Sequence, residues 1–193
     1  MRRSSHPSLL LRLFWLAPLG IAGCATPLPP MPPLQPPPAP LPNIEAAFAP
    51  EAHAQALVLR LIATARQSIR LAGSSFSSPD IVRALVAARR SGVDVRVLLD
   101  DKSNREPVAL AAMDAMTRAD IPVKVVAAYP VQHDSFIVVD GRHTQTGSFE
   151  YTPSAAQSNS ENVLVVWNNP VVAASYLAHW ESRWRQGVTV ETN

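Results

Sequence analysis

The chain has 193 residues, 47% hydrophobic and 17% charged, which suits one globular domain with an appendage and excludes both a wholly disordered chain and two full-sized domains. A single cysteine excludes an internal disulfide framework and any cysteine-built zinc finger. The formal charge of +2 points to no polyanion partner, because Arg2, Arg3 and Arg12 lie at the front and from Asn43 onward 14 Lys and Arg face 15 Asp and Glu, a net of −1.

Residues 1–23 open with Arg2-Arg3 and continue as a mostly apolar stretch from Leu9 to Ala22, interrupted by Arg12. A permanent transmembrane helix needs about 20 apolar residues, so this segment reads as a secretory signal peptide. It ends Ile21-Ala22-Gly23-Cys24, which resembles a bacterial lipobox, in which the cysteine becomes an acylated N-terminus. Cys24 is thus the expected lipidation site. Ala25 and Thr26 follow, without the aspartate that retains lipoproteins at the inner membrane. The expected location is the outer membrane, with the chain anchored by lipid and facing the periplasm.

Residues 24–42 carry ten prolines between Pro27 and Pro42. Proline fixes φ and lacks an amide donor, so helix and sheet give way to polyproline II, a semi-rigid stalk of about 3.1 Å per residue. A ligand for a proline-reading domain is the alternative use of the same stretch.

Residues 43–193 form the expected domain. Ala54, Leu57, Val58, Leu61, Ile62 and Ala65 follow a helical period within 53–67. Ile69 to Ala72 reads as a short strand. Ser78 as N-cap and Pro79 at the first helical position open a second helix, which stops near Gly92. Val93 to Leu99 reads as a buried strand, 106–118 as a third helix, and 122–127 as a further strand. Asp134 to Val139, His143 to Gly147 and Asn162 to Trp167 read as three more strands. Asn169-Pro170 starts a final helix running to Gln186, with Trp180 and Trp184 on one stripe as core or interface residues. This order predicts an α/β fold, a mixed β-sheet flanked by helices on both faces.

The segment from His133 to Asn162 reads HDSFIVVDGRHTQTGSFEYTPSAAQSNSEN. It resembles the phospholipase D superfamily, in particular its small single-motif bacterial endonucleases. The family motif H-x-K-x4-D-x6-G-S-x-N is matched in spacing by His133, Asp140, Gly147 and Ser148, with Ser135 in the lysine position and Glu150 in the asparagine position. Further likeness lies in 77–81, in Gly92-Val93-Asp94-Val95, in Ser160-Glu161-Asn162 and in 178–187. The resemblance implies a phosphodiesterase acting on nucleic acid or phospholipid without a metal or other cofactor. One histidine attacks phosphorus to give a covalent phosphohistidine, a second protonates the leaving oxygen, and water reverses the sequence. His133 is then nucleophile or general acid, Asp140 a catalytic carboxylate, and Glu161 the group that orients the imidazole. Ser135, Ser148 and Glu150 are the substrate-binding positions. Two histidines are needed and one motif is present, so the resemblance implies a homodimer that brings two copies of His133 together.

Ser135 removes a cation from the phosphate site, and Glu150 puts an anion where a neutral donor belongs. Losing one preorganised donor costs about 10²–10³ in rate. The expectation is therefore reduced activity, with a catalytically inactive scaffold of the cell envelope as the alternative. Three compensations are open at this stage. Arg70 or Lys102 could enter the site, Glu150 could be protonated, or a divalent cation could lie between Glu150, Glu161 and His133.

Overall fold

The computed structural model describes residues 43–50 and 53–191. The expected signal peptide, Cys24 and proline stalk lie outside the described residues.

In chain order the elements are β1 (Asn43–Ala49), α1 (Ala54–Ala63), β2 (Ser68–Gly73), α2 (Pro79–Arg90), β3 (Asp94–Asp100), α3 (Pro107–Thr117), β4 (Val123–Val126), β5 (Phe136–Val139), β6 (His143–Gly147), α4 (Pro153–Gln157), β7 (Glu161–Trp167), α5 (Pro170–Trp184) and β8 (Val188–Thr189). The strands form one sheet in the order β1-β7-β6-β5-β2-β3-β4-β8. β2, β3 and β4 run parallel, joined by α2 and α3, and the other pairings are antiparallel.

The central strands are apolar on both sides because helices cover both faces, as the sequence leads one to expect. Ile69, Leu71, Val97, Leu99, Ile137 and Val139 pack with Leu57, Leu61, Ile81, Leu85 and Met116 of α1, α2 and α3. The alternate residues Ala72, Leu98, Phe136 and Val138 pack on the opposite face with Ala173 and Trp180 of α5. Trp180 is buried, its Nε1–H donates to the Leu71 carbonyl at 2.9 Å, and its ring stacks on Trp184 at 4.7 Å between centroids. The expected start of α2 is also present: Pro79 is the first helical residue, and the Ser78 hydroxyl accepts the Ile81 amide.

Three elements carry weak local signals. β1 is strand because each of its seven residues pairs with β7, from Asn43 opposite Trp167 to Ala49 opposite Glu161. β8 is a two-residue edge pairing on β4, and α4 is one short helix capped by the Thr152 hydroxyl on the Ala155 amide. β5 begins at Phe136 rather than Asp134. The side chains of Asp134 and Ser135 are hydrogen-bonded to residues outside the sheet ladder, so the motif's first residues stay irregular.

The register fixes where the site can be. Ala72, Phe136 and Thr146 lie side by side across β2, β5 and β6. The next positions, Gly73, Ser135 and Gly147, therefore share one edge of the sheet, at the carboxyl end of the parallel strands. That edge is where open α/β sheets bind ligands.

Candidate active site

The loop that carries His133 is held from below by Asp100, the last residue of β3. Its buried carboxylate accepts the Gln132 amide at 2.7 Å and the Ser103 amide at 2.8 Å. Burial pushes the Asp100 pKa up, but these amide donors outweigh it and leave the carboxyl below the ordinary carboxylate range. Gln132 is buried and turns its Nε2 to Asp134 Oδ2 at 2.8 Å, while its Oε1 has no hydrogen-bond partner among the described residues. The Ser135 hydroxyl donates to the Phe149 carbonyl at 2.5 Å, tying the loop to the segment that follows β6.

His133 is exposed and lines a cleft of about 420 Å³ together with Asp134, Ser135, Phe136, Thr146, Gly147, Ser175, Tyr176 and His179. Its imidazole makes no hydrogen bond among the described residues, so both ring nitrogens are free to meet a ligand. Gly147 belongs to this wall for a steric reason. With φ at 150°, a Cβ there would lie 2.2 Å from the Asn162 carbonyl oxygen, so any side chain would push β6 off β7.

The motif residues divide between the cleft and its supports. Ser135 lines the cleft. The Ser148 hydroxyl donates to Glu161 Oε2 at 2.6 Å and accepts the Asn162 backbone amide at 3.0 Å and its Nδ2 at 3.1 Å. Glu161 Oε1 accepts from Asn159 Nδ2 at 3.0 Å. Within one chain Glu161 thus steadies Ser148 and does not contact the His133 imidazole, contrary to the orienting role expected for it. Glu150 is half-buried, and its carboxylate makes neither a hydrogen bond nor an ion pair among the described residues.

Asp140 requires a correction. It lies beyond the far end of β5 with φ at 52°, and its carboxylate accepts the backbone amides of Arg66, Gln67 and Ser68. The motif carboxylate therefore closes the α1–β2 turn onto β5 and is not a catalytic group of the cleft. His143 is at that same far end. Burial first, and the Arg142 charge second, hold its pKa below the ordinary histidine value, and its Nδ1 accepts the Asn168 amide at 2.9 Å.

The compensations open in the sequence do not assemble within one chain. Arg70 is bonded to the carboxylate and carbonyl of Asp94, and Lys102 Nζ donates to the Pro130 carbonyl at 3.2 Å. Among the described residues no three of His, Cys, Asp and Glu are grouped so as to hold a metal ion, so Glu150, Glu161 and His133 do not converge.

The cleft also holds a second histidine, which was not among the sequence candidates. His179, on α5, meets Asp134 Oδ2 through Nε2 at 2.9 Å, beside the residue that carries the motif. Its period on α5 with Tyr176 and Arg183 was visible. The partner facing that stripe, 45 residues away in sequence, was not.

Comparison with known proteins settles the family. The model of the family described as cardiolipin synthase, PLD-like domain, matches residues 58–184. The chain belongs to the phospholipase D superfamily. Nuc from Salmonella typhimurium, a phospholipase D family member of known structure, is 42% identical with a TM-score of 0.77, covering 78% of this chain and 99% of Nuc. The phospholipase D of Rickettsia prowazekii is 31% identical over 141 residues, which span 73% of this chain and 67% of that protein. The mitochondrial cardiolipin hydrolase of Xenopus laevis is 32% identical over 147 residues, or 76% of this chain and 65% of the hydrolase. The mixed sheet covered on both faces is thus the phospholipase-D-like fold, and the family is one of phosphodiesterases.

Proposed function

We propose that this chain hydrolyses a phosphodiester, of nucleic acid or of phospholipid, with His133 as the nucleophile. The observation that carries this reading is the unbonded, exposed imidazole of His133 at the wall of the cleft, in a chain of the phospholipase D superfamily. An imidazole nitrogen attacks phosphorus, the P–N bond forms, and the leaving oxygen departs with its electron pair and takes a proton from a second imidazole. Water then breaks the P–N bond and frees His133. The second imidazole in this reading is His133 of a second copy, in a homodimer, so sedimentation should give twice the chain mass. A monomeric active enzyme would contradict that part.

Ser135 and Glu150 make the activity low, because neither offers the positive charge or neutral donor that a developing phosphorane needs. The paired change S135K with E150N should raise turnover at least tenfold. Bis(4-nitrophenyl) phosphate is the direct assay: the parent should release 4-nitrophenolate and H133A should not. Equal rates for parent and H133A would favour the envelope scaffold, a reading to which the unpaired Glu150 carboxylate lends support.

The domain works at a membrane in this proposal, acylated at Cys24 and facing the periplasm from the outer membrane. The parent should incorporate labelled palmitate and C24S should not. A parent that takes up no label would end the lipoprotein reading.

A further inference from the structure

A phosphodiester brings a full negative charge into the cleft, and that charge grows as phosphorus becomes five-coordinate. Position 135 holds a serine whose hydroxyl is already committed to the Phe149 carbonyl. Among the residues lining the cleft, the nitrogen bases are His133 and His179. In the proposed dimer one copy of His133 attacks phosphorus and the other gives its proton to the leaving oxygen, so neither is left to hold the non-bridging oxygens. That leaves His179.

The surroundings of His179 suit the task. Asp134 Oδ2 binds its Nε2 at 2.9 Å, and the same oxygen accepts Gln132 Nε2 at 2.8 Å, so the carboxylate is fixed before it fixes the ring. Gln132 is itself anchored through its backbone amide to buried Asp100. A carboxylate on one ring nitrogen fixes the orientation of the ring. Nδ1 has no partner among the described residues, and the side chain keeps 40% of its surface exposed. The charged and titratable groups around the ring are Asp134 and His133 on the loop before β5, and Tyr176 and Arg183 on α5. Arg183 is turned to the Tyr129 ring, with 4.9 Å from its guanidinium carbon to the ring centroid.

We propose that His179, held through Nε2 by Asp134, is the cationic hydrogen-bond donor to the bound phosphodiester, standing in for the lysine that position 135 lacks. The role rests on the cleft being a phosphodiester site, but it concerns binding, and binding can be measured without turnover.

The test uses dimethyl phosphate, a diester monoanion whose charge is constant near neutral pH, titrated into the full chain and followed by NMR. A charge-assisted hydrogen bond corresponds to about a tenfold to hundredfold change in affinity, and H179Q should lose that much. S135K supplies a permanent cation, so H179Q added to S135K should change affinity less than threefold.

The role of His179 is overturned if H179Q binds as the parent does, or if its loss is undiminished in S135K, which would mark a structural contact. It is overturned equally if no variant binds the diester. Binding that follows the predicted pattern in a chain that never hydrolyses a diester would uphold the role of His179 and remove only the catalytic reading.

Discussion

At the scale of single residues, the motif mixes two kinds of group. Asp140 gathers the backbone amides of Arg66, Gln67 and Ser68 and holds a positive φ that Asp and Asn tolerate better than most residues. Its effect on activity should therefore pass through folding alone. D140A should lower unfolding free energy by about 1–3 kcal/mol, since it strands amide donors of the α1–β2 turn. The kcat of the folded fraction at 25 °C should be unchanged. A kcat that drops with stability intact would return Asp140 to the chemistry. The sequence made His133, Ser135 and Gly147 legible as neighbours because their spacing along one short segment is itself the signal. It left Asp140 misplaced, because spacing does not say which end of a strand faces the cleft. His179 stayed hidden because its role exists only through Asp134, across the fold.

At the scale of elements, the strongly apolar strands and the capped helix α2 were readable from period and cap chemistry. β1 and β8 were not, since their strand state comes from the partner they pair with. The last helix shows how an element serves the site from a distance. Trp180 pins α5 to β2 by its bond to the Leu71 carbonyl, and one turn of register there decides whether Tyr176 and His179 face the cleft. W180F removes that donor and leaves a small void between α5 and the sheet. It should cost about 2–4 kcal/mol in urea unfolding with the m-value unchanged. A cost below about 0.5 kcal/mol would mean that α5 is held by its other contacts.

At the scale of the molecule, the near-neutral balance of residues 43–193 leaves local charge at the cleft to govern recognition. Stability should respond to pH through Asp100. Its folded pKa lies below its unfolded one, so its contribution is present above the unfolded carboxylate pKa, about 3.9, and is lost as pH falls through the folded value. D100N should therefore be less stable than the parent at pH 7, with the gap closing below about pH 4. A gap that stays constant from pH 7 to pH 2 would show that Asp100 does not act through its charge. The same carboxylate anchors the His133 loop, so acid should loosen the cleft along with the fold.

All three scales bear on the covalent chemistry proposed for His133. The most direct measurement is to quench the full chain in alkaline denaturant during turnover of bis(4-nitrophenyl) phosphate and map the products by mass spectrometry. The account predicts a 4-nitrophenyl phosphoryl group on the peptide containing His133, absent from H133A. Hydrolysis that proceeds without that adduct, or that survives H133A, would contradict it.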